Sequence, residues 1–108
     1  VNKMINSVEI QGIVGSATVT EIGDSKVVRL SVATDTVYTN KEKEKVVETT
    51  WHQVEGWNKA VKDAEAIKKG VWVNVKGRLR ARRFTDNDGG ERVFQQILAS
   101  EITVLEAS

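Results

Sequence analysis

Val71-Trp-Val-Asn-Val-Lys-Gly-Arg-Leu-Arg-Ala-Arg-Arg-Phe84 is the stretch whose pattern decides the fold. Its residues alternate with a period of two, the mark of a strand. Val71, Val73, Val75, Gly77, Leu79 and Ala81 fall on one face. Trp72, Asn74, Lys76, Arg78, Arg80, Arg82 and Phe84 fall on the other. Such a strand has a core side and a cationic, aromatic side. Downstream, Thr85-Asp-Asn-Asp-Gly-Gly90 is a turn cluster, and Val93 to Leu105 reads as a last strand region with a break near Ser100. Upstream the period changes. Ala60, Val61, Ala64 and Ile67 stand at i, i+1, i+4 and i+7, which predicts a short amphipathic helix over Asn58–Lys69. Asn58 caps its start and Gly70 ends it in a left-handed turn. Lys68 and Lys69 suit the negative end of the helix dipole.

Further upstream the alternation resumes. Val8, Ile10, Gly12 and Val14 share one parity in a first strand. Val28, Leu30, Val32 and Thr34 do so in a second, with Arg29, Ser31 and Asp35 opposite and Val27 and Ala33 blurring the pattern. Glu21 to Ser25 is a turn. Thr39 to Lys45, where Lys and Glu alternate, reads as a solvated hairpin tip leading to a third strand over Val46–Trp57. Three strands, a helix and two more strands fit an all-β chain, a five-stranded OB-fold Greek-key barrel with one short helix between strands 3 and 4. The same order also fits another small α+β domain.

The chain has 108 residues, enough for one domain over 1–108. Hydrophobic residues are 40% and charged residues 29%, a globular composition rather than a disordered one. There is no Cys, which removes disulfides, thiolate catalysis and Cys-based zinc sites and fits a reducing compartment, here the cytoplasm. One His leaves no multi-histidine metal site, so neither a metal nor a cofactor is expected. No apolar run reaches the ~20 residues of a membrane span. Net charge is +1, but it is unevenly spread. Lys68 to Arg92 holds eight basic and three acidic residues, so this segment carries +5 and the rest of the chain −4. A cationic segment in a near-neutral protein marks a local polyanion contact.

The aromatics fall where such a contact would use them. Single-stranded nucleic acid is held by cations along its phosphates and by flat side chains under its unpaired bases. Trp51 and Trp57 are six residues apart on one strand and so share a face. Arg78, Arg80, Arg82 and Phe84 repeat that arrangement on another, and Tyr38 stands at the end of the second strand. A strand Trp more often fills a core or a subunit contact. Trp51, however, shares its parity with Gln53 and Glu55 rather than Val54, which puts it on the polar face. Three same-face arginines ending in Phe84 also depart from the mixed signs of an ordinary surface strand. Asp86 and Asp88 are the nearest pair for a magnesium ion, but a Gly-rich turn uses Asp for its own backbone. With His52 the one imidazole, nucleophilic catalysis lacks a base, and no enzyme is expected.

Thr50-Trp-His-Gln-Val54, followed by Trp57 and Lys59, resembles a segment of the bacterial-type single-stranded DNA-binding proteins. So does the stretch from Lys68-Lys-Gly70 through Gly77-Arg-Leu-Arg80 and Arg82-Arg-Phe-Thr-Asp86 to Asp88-Gly89, as do Val1-Asn-Lys3 and Val32-Ala-Thr34. The likeness is colinear over nearly the whole chain. It implies Tyr38, Trp51, Trp57 and Phe84 as base-stacking positions, and Lys59, Lys69, Arg80, Arg82 and Arg83 as basic positions beside Arg78. Arg83 breaks the parity of its strand. The resemblance puts His52 at a subunit contact, in keeping with its parity on the Val54 side. Trp72 is not an aromatic position of that family, and so close to the helix end it is assigned to a subunit interface.

Two departures stand out. Gly15-Ser-Ala-Thr-Val-Thr20 replaces a proline-containing turn of the family. Family members also run on into a Gly-rich linker and an acidic C-terminal tip, whereas this sequence ends at Ser108 after Glu101-Ile-Thr-Val-Leu-Glu-Ala. Either such a tail has been cut off or this is a tail-less relative, and recruitment of protein partners through it is not claimed for these residues. The resemblance implies a homotetramer that binds and protects single-stranded DNA in replication, repair, recombination or plasmid transfer, with no membrane contact. The alternative is a tail-less OB-fold replication accessory of primosome type, acting mainly through protein contacts.

Overall fold

The computed structural model describes residues 2–57 and 66–105. Five strands follow in chain order: β1 (Val8–Ile22), β2 (Ser25–Thr39), β3 (Lys45–Trp57), β4 (Trp72–Thr85) and β5 (Glu91–Val104). They close into a barrel in the order β1-β2-β3-β5-β4. β1 makes the closure because it pairs twice. Its first half, Val8 to Ile13, runs antiparallel to β4, and its second half, Ile13 to Ile22, antiparallel to β2. The strand changes partner around an irregularity between Val14 and Ser16. β3 and β5 meet in the one parallel pairing among the described strands, a short seam of Val54–Gly56 against Ile97–Ala99. The topology is that of the expected five-stranded barrel. The helix expected over Asn58–Lys69 lies mostly outside the described residues. The described end of that span, Ile67 to Lys69, is not helical; Ile67 is buried, and Gly70 has φ 91°, the left-handed conformation expected of it.

The core is built almost wholly from β-branched residues, which suit an extended backbone. Val14, Val28, Leu30, Val32, Val54, Val73, Val75, Ile97 and Ile102 form one buried cluster with Ile67 and Ala99. Full burial of each such aliphatic side chain is worth about 1.5–3 kcal/mol. Val27 is fully buried although it lies on the opposite parity, directly across from Trp57 on β3. Gly70 N–H donates to Val14 C=O, and Val14 N–H to Val71 C=O, so the end of the β3–β4 connection is stitched to β1.

Not all of the apolar alternation is core. On β4 the parity set is buried at Val73 and Val75, but Leu79 and Ala81 are exposed. The strand outruns the barrel, and beyond it β4 and β5 continue as a two-stranded arm closed by Thr85 opposite Glu91. β2 and β3 form a similar arm, closed by Thr39 opposite Lys45. The arms raise the radius of gyration to 16.3 Å, against about 13 Å for a compact chain of this length. The break expected near Ser100 is a bulge. The β4–β5 register shifts between Lys76 and Gly77, Ser100 is the extra residue, and its hydroxyl donates to the Lys76 carbonyl (3.1 Å). Among the described residues no helix is long and apolar enough to cross a membrane.

Candidate nucleic-acid interface

Alternation along β3 puts Trp51, Gln53, Glu55 and Trp57 on the outer face of the barrel. Register supplies their neighbours. Ala33 lies opposite Trp51 and Arg29 opposite Glu55 on β2. On the other side the parallel seam sets Leu98 of β5 beside Glu55. The same outer face continues through Phe94 and Gln96 of β5 to Arg82 and Arg80 of β4, which pair with them directly.

Trp51 is more than half exposed. It rests on β1 at Gly15, where an added Cβ would overlap Cζ3 and Cη2 of the indole. Gly15 stands within the β1 irregularity between Val14 and Ser16, so the irregular backbone forms the seat of this ring. Trp57 is exposed by about a third and its Nε1 donates to Glu55 Oε1 (2.7 Å). Phe84 and Phe94 form an edge-to-face pair with centroids 5.6 Å apart and planes at 67°. Phe94 and Arg29 were not singled out by sequence. Pairing the strands outward from the Asp86–Gly90 turn would have found Phe94, since it puts this residue opposite Arg82. No local signal marks Arg29.

Between the two aromatic groups lies a carboxylate that three arginines surround. Glu55 is almost fully buried on a face that alternation reads as polar. Arg29 Nε (3.4 Å) and Arg82 Nη1 (3.0 Å) reach its Oε2, and Arg80 Nη2 (3.4 Å) reaches Oε1. Arg80 and Arg82 span β5 to do so. Burial by itself pushes the Glu55 carboxyl up. The Trp57 N–H and the guanidiniums of Arg82, Arg80 and Arg29 outweigh it and hold the pKa below the ordinary carboxylate value. The cluster therefore presents a net +2, with each guanidinium still partly exposed. Beside it a cavity of about 160 Å³ is lined by Arg29, Gln53, Glu55, Arg82, Phe94 and Gln96.

The remaining expected positions are more scattered. Arg78 is exposed on the same face of β4, and no ion pair holds it among the described residues. Arg83 points to the other face, as its parity implies, and makes a surface pair with Glu91 (3.7 Å). Lys69 is exposed in the turn before Gly70, whose N–H is bonded to Val14, next to the seat of Trp51. Lys59 lies outside the described residues. Tyr38 is exposed near the end of the β2–β3 arm, opposite Val46, with parity opposite to that of Trp51. The strand register thus does not bring it onto the face of the other rings. His52 lies on the core-side parity, half-buried, with Nε2 2.8 Å from Thr34 Oγ1. Trp72 is partly exposed opposite Ile13, itself exposed, and sits roughly 40 Å along β4 from Phe84 at ~3.3 Å per residue.

The Asp86 turn is used by its own backbone, as its composition predicts. Asp86 Oδ1 accepts from the N–H groups of Asp88 (3.1 Å) and Gly90 (2.7 Å), and Oδ2 from Arg92 Nε (2.9 Å). Arg92 above all, then the Gly90 N–H, lowers the Asp86 pKa. Among the described residues no cluster of three or more His, Asp or Glu could hold a metal ion.

Residues 5–105 match the family model of the single-strand binding protein family. Over 80 residues the chain is 32% identical to the single-stranded DNA-binding protein of Neisseria meningitidis serogroup A, covering 73% of this chain and 46% of that protein. It is 35% identical over 80 residues to single-stranded DNA-binding protein 1 of Xylella fastidiosa strain 9a5c, covering 72% and 59%. The chain thus spans about half the length of the curated relatives it matches. Among solved structures, Plasmodium falciparum SSB in complex with ssDNA superposes with a TM-score of 0.84 at 25% identity, over 97% of this chain and 98% of that one. A deletion mutant of the single-stranded DNA binding protein from Thermus aquaticus gives 0.77 at 22% identity, over 94% and 51%, a likeness of fold.

Proposed function

The chain belongs to the single-strand binding protein family, and we propose that it binds and protects single-stranded DNA with little regard to sequence. One observation carries this reading. Trp51, Trp57, Phe84 and Phe94 are exposed on one outer face of the barrel and its β4–β5 arm, with a cationic cluster of Arg29, Arg80 and Arg82 between them. A duplex hides the faces of its bases, whereas a single strand offers both bases to the rings and phosphates to the guanidiniums. Arg78 and Lys69 extend the cationic track, and Lys59 is assigned to it by family resemblance. Tyr38 would meet the strand only where it runs out along the β2–β3 arm. Arg83, on the other face and paired with Glu91, is the weakest member of the phosphate set.

Binding is an equilibrium without bond-making, so no catalytic residue, metal or cofactor is assigned. The biological setting is replication, repair, recombination or plasmid transfer in the cytoplasm, where exposed strands must be kept from re-pairing. The working unit is a homotetramer, with His52 and Trp72 at subunit contacts. The exposed Val37 and Val47 on one arm, and Leu79 and Val93 on the other, are apolar surface that association would cover. Several domains on one strand gain by effective concentration.

The test is titration of the chain with oligo-dT at low salt while tryptophan fluorescence is followed, with duplex of the same length as the control. Quenching by the single strand and little by the duplex is expected. An unchanged signal with oligo-dT would remove the reading.

A further inference from the structure

Glu55 is a carboxylate with a 4% exposed side chain in the middle of a surface read as anion-binding, where simple electrostatics would place no negative charge. We propose that Glu55 is a positioning residue of the strand-binding face: an internal counter-anion that holds Arg29, Arg80 and Arg82 as a fixed array for phosphate. The inference rests on the reading of this face given above and names how the face is organised.

Three features carry it. First, each arginine spends one nitrogen on Glu55: Nε of Arg29, Nη2 of Arg80 and Nη1 of Arg82. A guanidinium has five N–H donors in a rigid plane. The side chains remain 48%, 34% and 45% exposed, so each presents other donors to solvent while one edge is held. Second, the contacts come from β2 and β4, on opposite sides of β3, so one carboxylate ties together cations whose mutual repulsion would otherwise splay them. Third, the same carboxylate takes the Trp57 N–H, which fixes an indole edge beside the cationic array. Side chains already ordered lose less freedom when a strand arrives.

A double-mutant cycle on the intact chain tests this, using Glu55→Gln, Arg82→Gln and the pair, with oligo-dT affinity measured at fixed salt and native circular dichroism checked for each. If Glu55 positions Arg82, Arg82→Gln weakens binding about fivefold or more in the parent and about twofold or less in the Glu55→Gln background. Should Glu55→Gln fail to fold, Glu55→Asp decides. It keeps the charge, withdraws the carboxylate by about 1.5 Å, one carbon–carbon bond, and is expected to weaken binding about threefold. A larger effect of Arg82→Gln in the Glu55→Gln background, or tighter binding by Glu55→Asp, would show that Glu55 competes with phosphate and overturn the proposal. Simple additivity, or unchanged affinity of Glu55→Asp, would reduce Glu55 to a structural ion pair and overturn it as well. Failure of the parent itself to bind oligo-dT is a separate result, and it removes the underlying reading.

Discussion

Trp51 shows how one small residue seats an exposed ring. Its indole lies where a side chain at Gly15 would be. Gly15→Ala should therefore push the ring aside rather than unfold the barrel, because the overlap is with the far end of a side chain. The expected stability cost is about 0.5–1.5 kcal/mol, that of an off-rotamer ring. The expected affinity loss is of the size of one stacked base, about 1–3 kcal/mol. Thermal unfolding and oligo-dT titration of the same sample separate the two. Trp57 behaves differently because it stands over against the buried Val27. Trp57→Ala should lower both stability and affinity. Glu55 adds a pH dependence. Its folded pKa is depressed, so its contribution to stability is fully present above the unfolded glutamate value of about 4.3 and is lost as pH falls from there through the folded value. Glu55→Gln should flatten the melting temperature across that acid window; an undiminished slope would assign the acid loss to other carboxylates.

At the scale of elements, the β4–β5 arm is where the register does most for the site. Pairing from the Asp86 turn sets Phe84 opposite Arg92 and Arg82 opposite Phe94, so two rings and two guanidiniums share one face, with that of Arg92 held by Asp86. Phe94→Ala should weaken oligo-dT binding about as much as Phe84→Ala, and Arg83→Gln should change it little, since Arg83 faces the other way. Equal losses at Arg82 and Arg83 would contradict this face assignment. The same arm shows what was legible in the sequence. Alternation over residues 71–84 gave the strand and its two faces, and the Thr85–Gly90 composition gave the turn, because these are local properties. It did not give the point where Leu79 leaves the core, which depends on β1 ending its pairing with β4 at Gly77. Nor did it give Glu55 its role. Parity marks Glu55 as solvent-facing, and it is buried by side chains of Arg80 and Arg82 that arrive across β5, through a parallel seam that no local pattern announces.

For the whole molecule, the two arms carry apolar residues outside the barrel, and the chain is more extended than its length requires. The proposed tetramer would account for both: sedimentation equilibrium should then return about four times the chain mass, with Trp72→Ala or His52→Ala shifting the distribution toward smaller species. The central claim is that a cationic, ring-bearing outer face holds a flexible polyanion, and a salt titration of oligo-dT affinity tests it most directly. With Arg29, Arg80, Arg82 and Arg78 on phosphates, and about 0.7 of a counterion released per single-strand contact, the slope of log affinity against log salt should be about −3 or steeper. A slope near zero, or no tryptophan quenching even at the lowest salt, would contradict the account.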